Sequence, residues 1–135
     1  MTKSEIISKV KTLNLPKGKY IVFGSSPMAI AGIRPAQDID LLVNAELFTK
    51  LKSAGWKIKN KGVDDNPLVR GDFEAHLHWN FSSYQPTLEQ LLETAEIVNG
   101  IAFASIGEVK KWKSASGRPK DLVDIELIEK YLANN

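Results

Sequence analysis

The sequence has no cysteine. This excludes disulfides, thiolate nucleophiles and cysteine-ligated zinc. No apolar run approaches the ~18 residues a membrane-spanning helix needs, and the opening MTKSEIISKV lacks the pattern of a signal peptide. The expectation is a cytoplasmic protein with no membrane partner. Neither sign of charge dominates: the net charge of +2 is too small to identify a partner by itself. There is no internal repeat and no linker long enough to divide the chain, so residues 1–135 are expected to form one domain.

What is present is ordinary for a globular chain, with 43% apolar and 25% charged residues. A chain of this length buries roughly 68% of its unfolded surface, enough for one core. The basic residues are unevenly placed. Lys50, Lys52, Lys57, Lys59 and Lys61 form one group; Lys110, Lys111, Lys113, Arg118 and Lys120 form another, followed by Asp121, Asp124, Glu126 and Glu129. Such groups either attract phosphates, on nucleotides or nucleic acid, or form solvated faces.

Periodicity supplies the elements. Thr2 and Glu5 fit a capping box ahead of a helix over 3–13, with Ile6, Ile7, Val10 and Leu13 at helical spacing. Tyr20 to Phe23 is long enough for one buried strand, and Asp38 to Val43 for a second. A helix follows over 45–54, then a short edge-like strand over 56–59 and a polar loop over 60–67. Residues 72–79 alternate: Phe73, Ala75, Leu77 and Trp79 on one face, Asp72, Glu74, His76 and His78 on the other. Thr87 to Ala95 reads as a helix, and Glu96 to Ala104 as a hairpin closed by Asn99-Gly100. A second capping box, Ser105 with Glu108, opens a helix towards Ser114. The last helix begins near Pro119, with Leu122, Ile125, Ile128 and Leu132 as its apolar stripe. The expectation is a mixed α/β (α+β) fold.

The chemistry is concentrated between Tyr20 and Val43. Side chains two apart on a strand share a face, so Asp38 and Asp40 project together while Ile39 and Leu41 point into apolar packing. Paired carboxylates repel unless a cation lies between them, and hard divalent cations prefer oxygen ligands. Gly24 permits close backbone approach and Ser25 adds a hydroxyl, which together suit a phosphate. A third acceptor from a neighbouring strand would complete the set, and the polar face of residues 72–78 offers Glu74. Metals of this kind can stabilise both the attacking and leaving oxygens of phosphoryl or nucleotidyl transfer.

These motifs, Phe23-Gly24-Ser25 followed by Asp38-Ile39-Asp40-Leu41, resemble the signature of the nucleotidyltransferase superfamily typified by DNA polymerase beta, and within it the minimal nucleotidyltransferases. Gly117-Arg118-Pro119-Lys120-Asp121-Leu122-Val123-Asp124 is similar to a segment opening the last helix of many minimal members, so the resemblance runs from Tyr20 to about Ile128. It implies a mixed sheet with helices mainly on one side. It also implies Mg²⁺ (or Mn²⁺) at Asp38 and Asp40, and a nucleoside triphosphate, with ATP the expected donor, at Gly24 and Ser25. The implied activity moves a nucleoside monophosphate to an acceptor: a protein side chain, an RNA end or a small molecule. That activity would belong to a toxin–antitoxin-like or resistance system, with a protein partner or homodimer supplying acceptor recognition.

One position departs from the pattern. Where relatives carry a third carboxylate before Leu-His-Trp, this chain has His76. Glu74, on the same face, is the preferred replacement as metal ligand, with His76 as the alternative and as a candidate general base. Lys113, Arg118 and Lys120 are candidates for countering triphosphate charge, and Trp56 and Trp112 for stacking on a base. Three rival readings remain: a His76-x-His78 zinc or iron site with Glu74 or Asp72, a catalytically degenerate module of the same fold, and a basic nucleic-acid-binding protein.

Overall fold

The computed structural model describes residues 1–60 and 66–135. Part of the 60–67 loop, including Lys61, therefore lies outside the described residues. Elements run α1 (Lys3–Leu13), β1 (Tyr20–Phe23), α2 (Ser26–Ile30), β2 (Ile39–Val43), α3 (Ala45–Ser53), β3 (Lys57–Ile58), β4 (Leu68–Arg70) and β5 (Phe73–His76). The chain continues with α4 (Leu88–Glu93), β6 (Glu96–Val98), β7 (Ile101–Phe103), α5 (Ile106–Ser116) and α6 (Pro119–Ala133). The described residues thus form a mixed α/β fold. Its seven-stranded sheet has the order β3-β4-β5-β2-β1-β7-β6.

The centre of the sheet sets the register of everything that follows. β1 and β2 pair antiparallel with Phe23 opposite Asp40, and β2 and β5 pair parallel with Asp40 opposite Glu74. Alternation along these strands then separates two cores. Tyr20, Val22, Ile39, Leu41, Phe73 and Ala75 face a cluster completed by Ile6 and Val10 of α1 and Leu47 and Leu51 of α3. Ile21, Phe23 and Leu42 face a second cluster with Leu91 of α4, Val109 and Trp112 of α5, and Ile128 of α6. Helices therefore pack on both sides of the sheet rather than mainly on one.

Several local expectations hold for the physical reasons that suggested them. Thr2 accepts from the Glu5 amide while Glu5 reaches back to the Thr2 amide. Asn99 (φ 51°) and Gly100 (φ 79°) form the two-residue turn of the β6–β7 hairpin, with Val98 opposite Ile101.

Four expectations are corrected. β4 was not foreseen: it forms a hairpin with β5 through Gly71-Asp72, so Asp72 lies in a turn. β5 ends at His76, and Trp79 packs in the second cluster, away from Phe73 and Ala75. The cap of α5 is only half a box: Ser105 accepts from the Glu108 amide, but the Glu108 carboxylate instead accepts from the Tyr84 hydroxyl at 2.6 Å. On α6 the buried positions are Asp121, Asp124 and Ile128, while Leu122 and Leu132, both expected inside, are exposed.

Candidate active site

β2 and β5 bring three ionisable side chains together. Asp40 and Glu74 are register partners, and His76 follows Glu74 by two residues on the same face. One ligand atom from each of Asp40, Glu74 and His76 lies within 4.8 Å of the others, an arrangement able to hold a metal ion. His76 Nε2 is 3.2 Å from Asp40 Oδ1 and 3.9 Å from Glu74 Oε1. Lys59 adds a cation from the sheet edge, with Nζ 3.5 Å from Glu74 Oε2.

Gly24 closes this group from β1. Its φ of +64° lies in the left-handed region, and a Cβ there would be 2.2 Å from Asp40 Oδ2. The glycine is thus required both by backbone geometry and by the space that the Asp40 carboxylate occupies. The His76 and Trp79 rings meet in a T-shaped arrangement, their centroids 4.8 Å apart. Trp79 stacks on Phe23 at 5.1 Å and abuts Trp112 at 5.0 Å. This aromatic packing limits the orientations open to the imidazole.

Asp38 precedes β2 and is exposed; it is outside the group of three. Partial burial and the negative charges of Asp40 and Glu74 push its carboxyl above the ordinary value. Glu74 and His76, alternatives in the sequence, both join Asp40. His78 is exposed beyond the end of β5, so the expected pairing of His76 and His78 on one strand face does not form.

Asp40 and His76 of this group line a cleft of about 1270 Å³, together with Ser25, Arg34, Asp38, Trp79, Trp112, Lys113, Arg118, Lys120 and Asp124, among others. Its basic wall is built from α5 and α6. Lys113 is buried, with Nζ 2.8 Å from Asp124 and 3.5 Å from Asp121. Arg118 grips Asp121 through Nε at 2.8 Å and Nη2 at 3.1 Å. Burial alone would raise the Asp121 carboxyl, but hydrogen bonds from Arg118 and Ser116 outweigh it and bring it down to about 2. Asp124 is likewise held below the ordinary value: bonds from Arg34 and Lys113 overcome its burial. Lys120, at the cleft, is exposed. Trp56 packs on Phe73 in the first cluster, apart from the cleft.

Arg34 was not foreseen. Its guanidinium forks onto Asp124, with Nε to Oδ1 and Nη2 to Oδ2 both at 2.8 Å, and donates from Nη2 to Ser25 Oγ at 3.0 Å. No local signal in the sequence pointed to it, because its partner Asp124 lies 90 residues away and the burial of that acid is a property of the fold.

This fold is shared with a nucleotidyltransferase. A solved structure described as "Crystal Structure of ANT(2")-Ia in complex with adenylyl-2"-tobramycin", an aminoglycoside nucleotidyltransferase, aligns with a TM-score of 0.55 and 19% identity over 94% of this chain and 85% of that one. At that identity the likeness speaks for the fold alone. No protein-family model matches the chain, and no curated protein matches it either.

Proposed function

We propose that this chain is a metal-dependent nucleotidyltransferase that moves a nucleoside monophosphate from a nucleoside triphosphate, ATP the expected donor, to an acceptor hydroxyl and releases pyrophosphate. The observation that carries the reading is the Asp40–Glu74–His76 group set against Gly24, with Asp40 and His76 lining the cleft. Two carboxylates and an imidazole suit a divalent cation, and the imidazole favours Mn²⁺ over Mg²⁺. Bound there, the cation would neutralise charge on the phosphate oxygens.

The chain's own groups have distinct tasks. Gly24 leaves room for the Asp40 carboxylate, and the Ser25 hydroxyl serves as a donor to a phosphate. Asp38 is a further oxygen ligand at the rim. Lys120 and the outer part of Arg118 supply positive charge along one wall, whereas the charge of Lys113 is already countered by Asp124 and Asp121. The acceptor is a hydroxyl on a small molecule, an RNA end or a protein side chain, with recognition completed by a partner or a second copy of the chain.

The pairing of His76 with Asp40 favours a second reading, a nucleotide-binding module without turnover. α-Labelled ATP with Mn²⁺ or Mg²⁺ and each acceptor class separates the two. Label transfer with matching pyrophosphate release, lost in Asp40→Asn, supports the enzyme. Binding without transfer to any class supports the module, and absence of binding contradicts both.

A further inference from the structure

The bond between Arg34 and Ser25 has a chemical consequence. An arginine donates and never accepts, so Ser25 Oγ must be the acceptor in the 3.0 Å contact with Nη2. Ser25 is the residue before α2, where a serine hydroxyl ordinarily accepts from a backbone amide of the first turn. Here its side chain makes no such bond. Its oxygen accepts from Arg34 through one of its two lone pairs, and its proton can be donated to another partner in the cleft that Ser25 lines, next to Gly24.

Arg34 is itself held firmly. Besides Ser25 it donates twice to Asp124 and, through Nη1, to the carbonyl of Pro35 at 2.8 Å. Asp124 is in turn fixed by the buried Lys113. The chain Lys113–Asp124–Arg34–Ser25 thus runs from the interface of α5 and α6 to the residue that follows Gly24.

We infer that Arg34 is a positioning residue: it fixes the Ser25 hydroxyl as a donor, making Ser25 a specific ligand for a phosphate oxygen of the bound nucleotide. The inference rests on the nucleotidyltransferase reading. It requires Arg34 to act through Ser25 and not by touching phosphate itself.

A double-mutant cycle on ATP affinity, measured calorimetrically with Mn²⁺ present, tests this. Ser25→Ala and Arg34→Met should each weaken ATP binding by about tenfold, the scale of one hydrogen bond to a charged group. The double variant should be no weaker than either single one, because both remove the same bond. Arg34→Lys, which keeps the charge but loses the fork, should bind ATP as weakly as Arg34→Met; it also serves if the methionine variant fails to fold. Losses that multiply to about a hundredfold would place Arg34 on the phosphate directly and overturn the inference, leaving the functional reading intact. If the wild type binds no ATP, the functional reading fails and this inference with it.

Discussion

A Cβ on Gly24 would stand 2.2 Å from Oδ2 of Asp40 and 2.9 Å from its Cβ. The strand that leads into Gly24 and the strand that carries Asp40 therefore depend on each other, as their register, Phe23 opposite Asp40, requires. Gly24→Ala meets both a left-handed backbone and the Asp40 side chain. It should lower stability by about 1–3 kcal/mol. It should also weaken Mn²⁺ binding, because Asp40 must swing away. Thermal unfolding and a Mn²⁺ titration check this; unchanged metal affinity in a folded variant would contradict it.

Lys113 should prove structural. Its ammonium is buried and shared between two carboxylates, each of which keeps an arginine partner when it is removed. Lys113→Met should cost about 1–3 kcal/mol of stability, with nucleotide affinity unchanged within about twofold. A tenfold loss of affinity at near-native stability would return it to the phosphate site.

Acid should loosen the last helix. The Asp121 carboxyl falls from an ordinary 3.8 to about 2 in the folded chain, so folding favours its ionised form. That contribution is complete above pH 4 and is lost as the pH falls towards 2. Its size is on the order of 1–2 kcal/mol, given that the partner Arg118 is partly exposed. Denaturant midpoints measured from pH 5 to pH 2 should fall in the wild type more steeply than in Asp121→Asn. Parallel curves would contradict the assignment.

The face that α6 buries is open to a simple comparison. Leu122 is 58% exposed and Ile128 fully buried. Leu122→Gln should change stability by less than about 0.5 kcal/mol, whereas Ile128→Ala should cost about 2–5 kcal/mol. Equal losses at the two positions would restore the apolar stripe expected from the sequence.

The contrast at α6 shows where the sequence was legible. β1, β2, the α1 cap and the Asn99-Gly100 turn follow from local chemistry, and local chemistry is written in adjacent residues. Asp121 and Asp124 defeat the apolar pattern because their partners Lys113, Arg118 and Arg34 bring cations to the buried face, one of them from 90 residues away. β4 is three residues long and its turn uses Asp72, which alternation had assigned to the following strand. Strand alternation put Asp40, Glu74 and His76 on polar faces. It could not reveal that β2 and β5 are neighbours, nor that Asp38 lies off the strand.

Thermal unfolding with ATP, with and without Mn²⁺, in wild type and Asp40→Asn tests the central claim most directly. ATP at 100 times its dissociation constant should stabilise the wild type by about 2.7 kcal/mol, a shift of several degrees, only when the cation is present. Asp40→Asn should show no such shift. An equal shift in Asp40→Asn, or none in the wild type with any nucleoside triphosphate, would contradict the account.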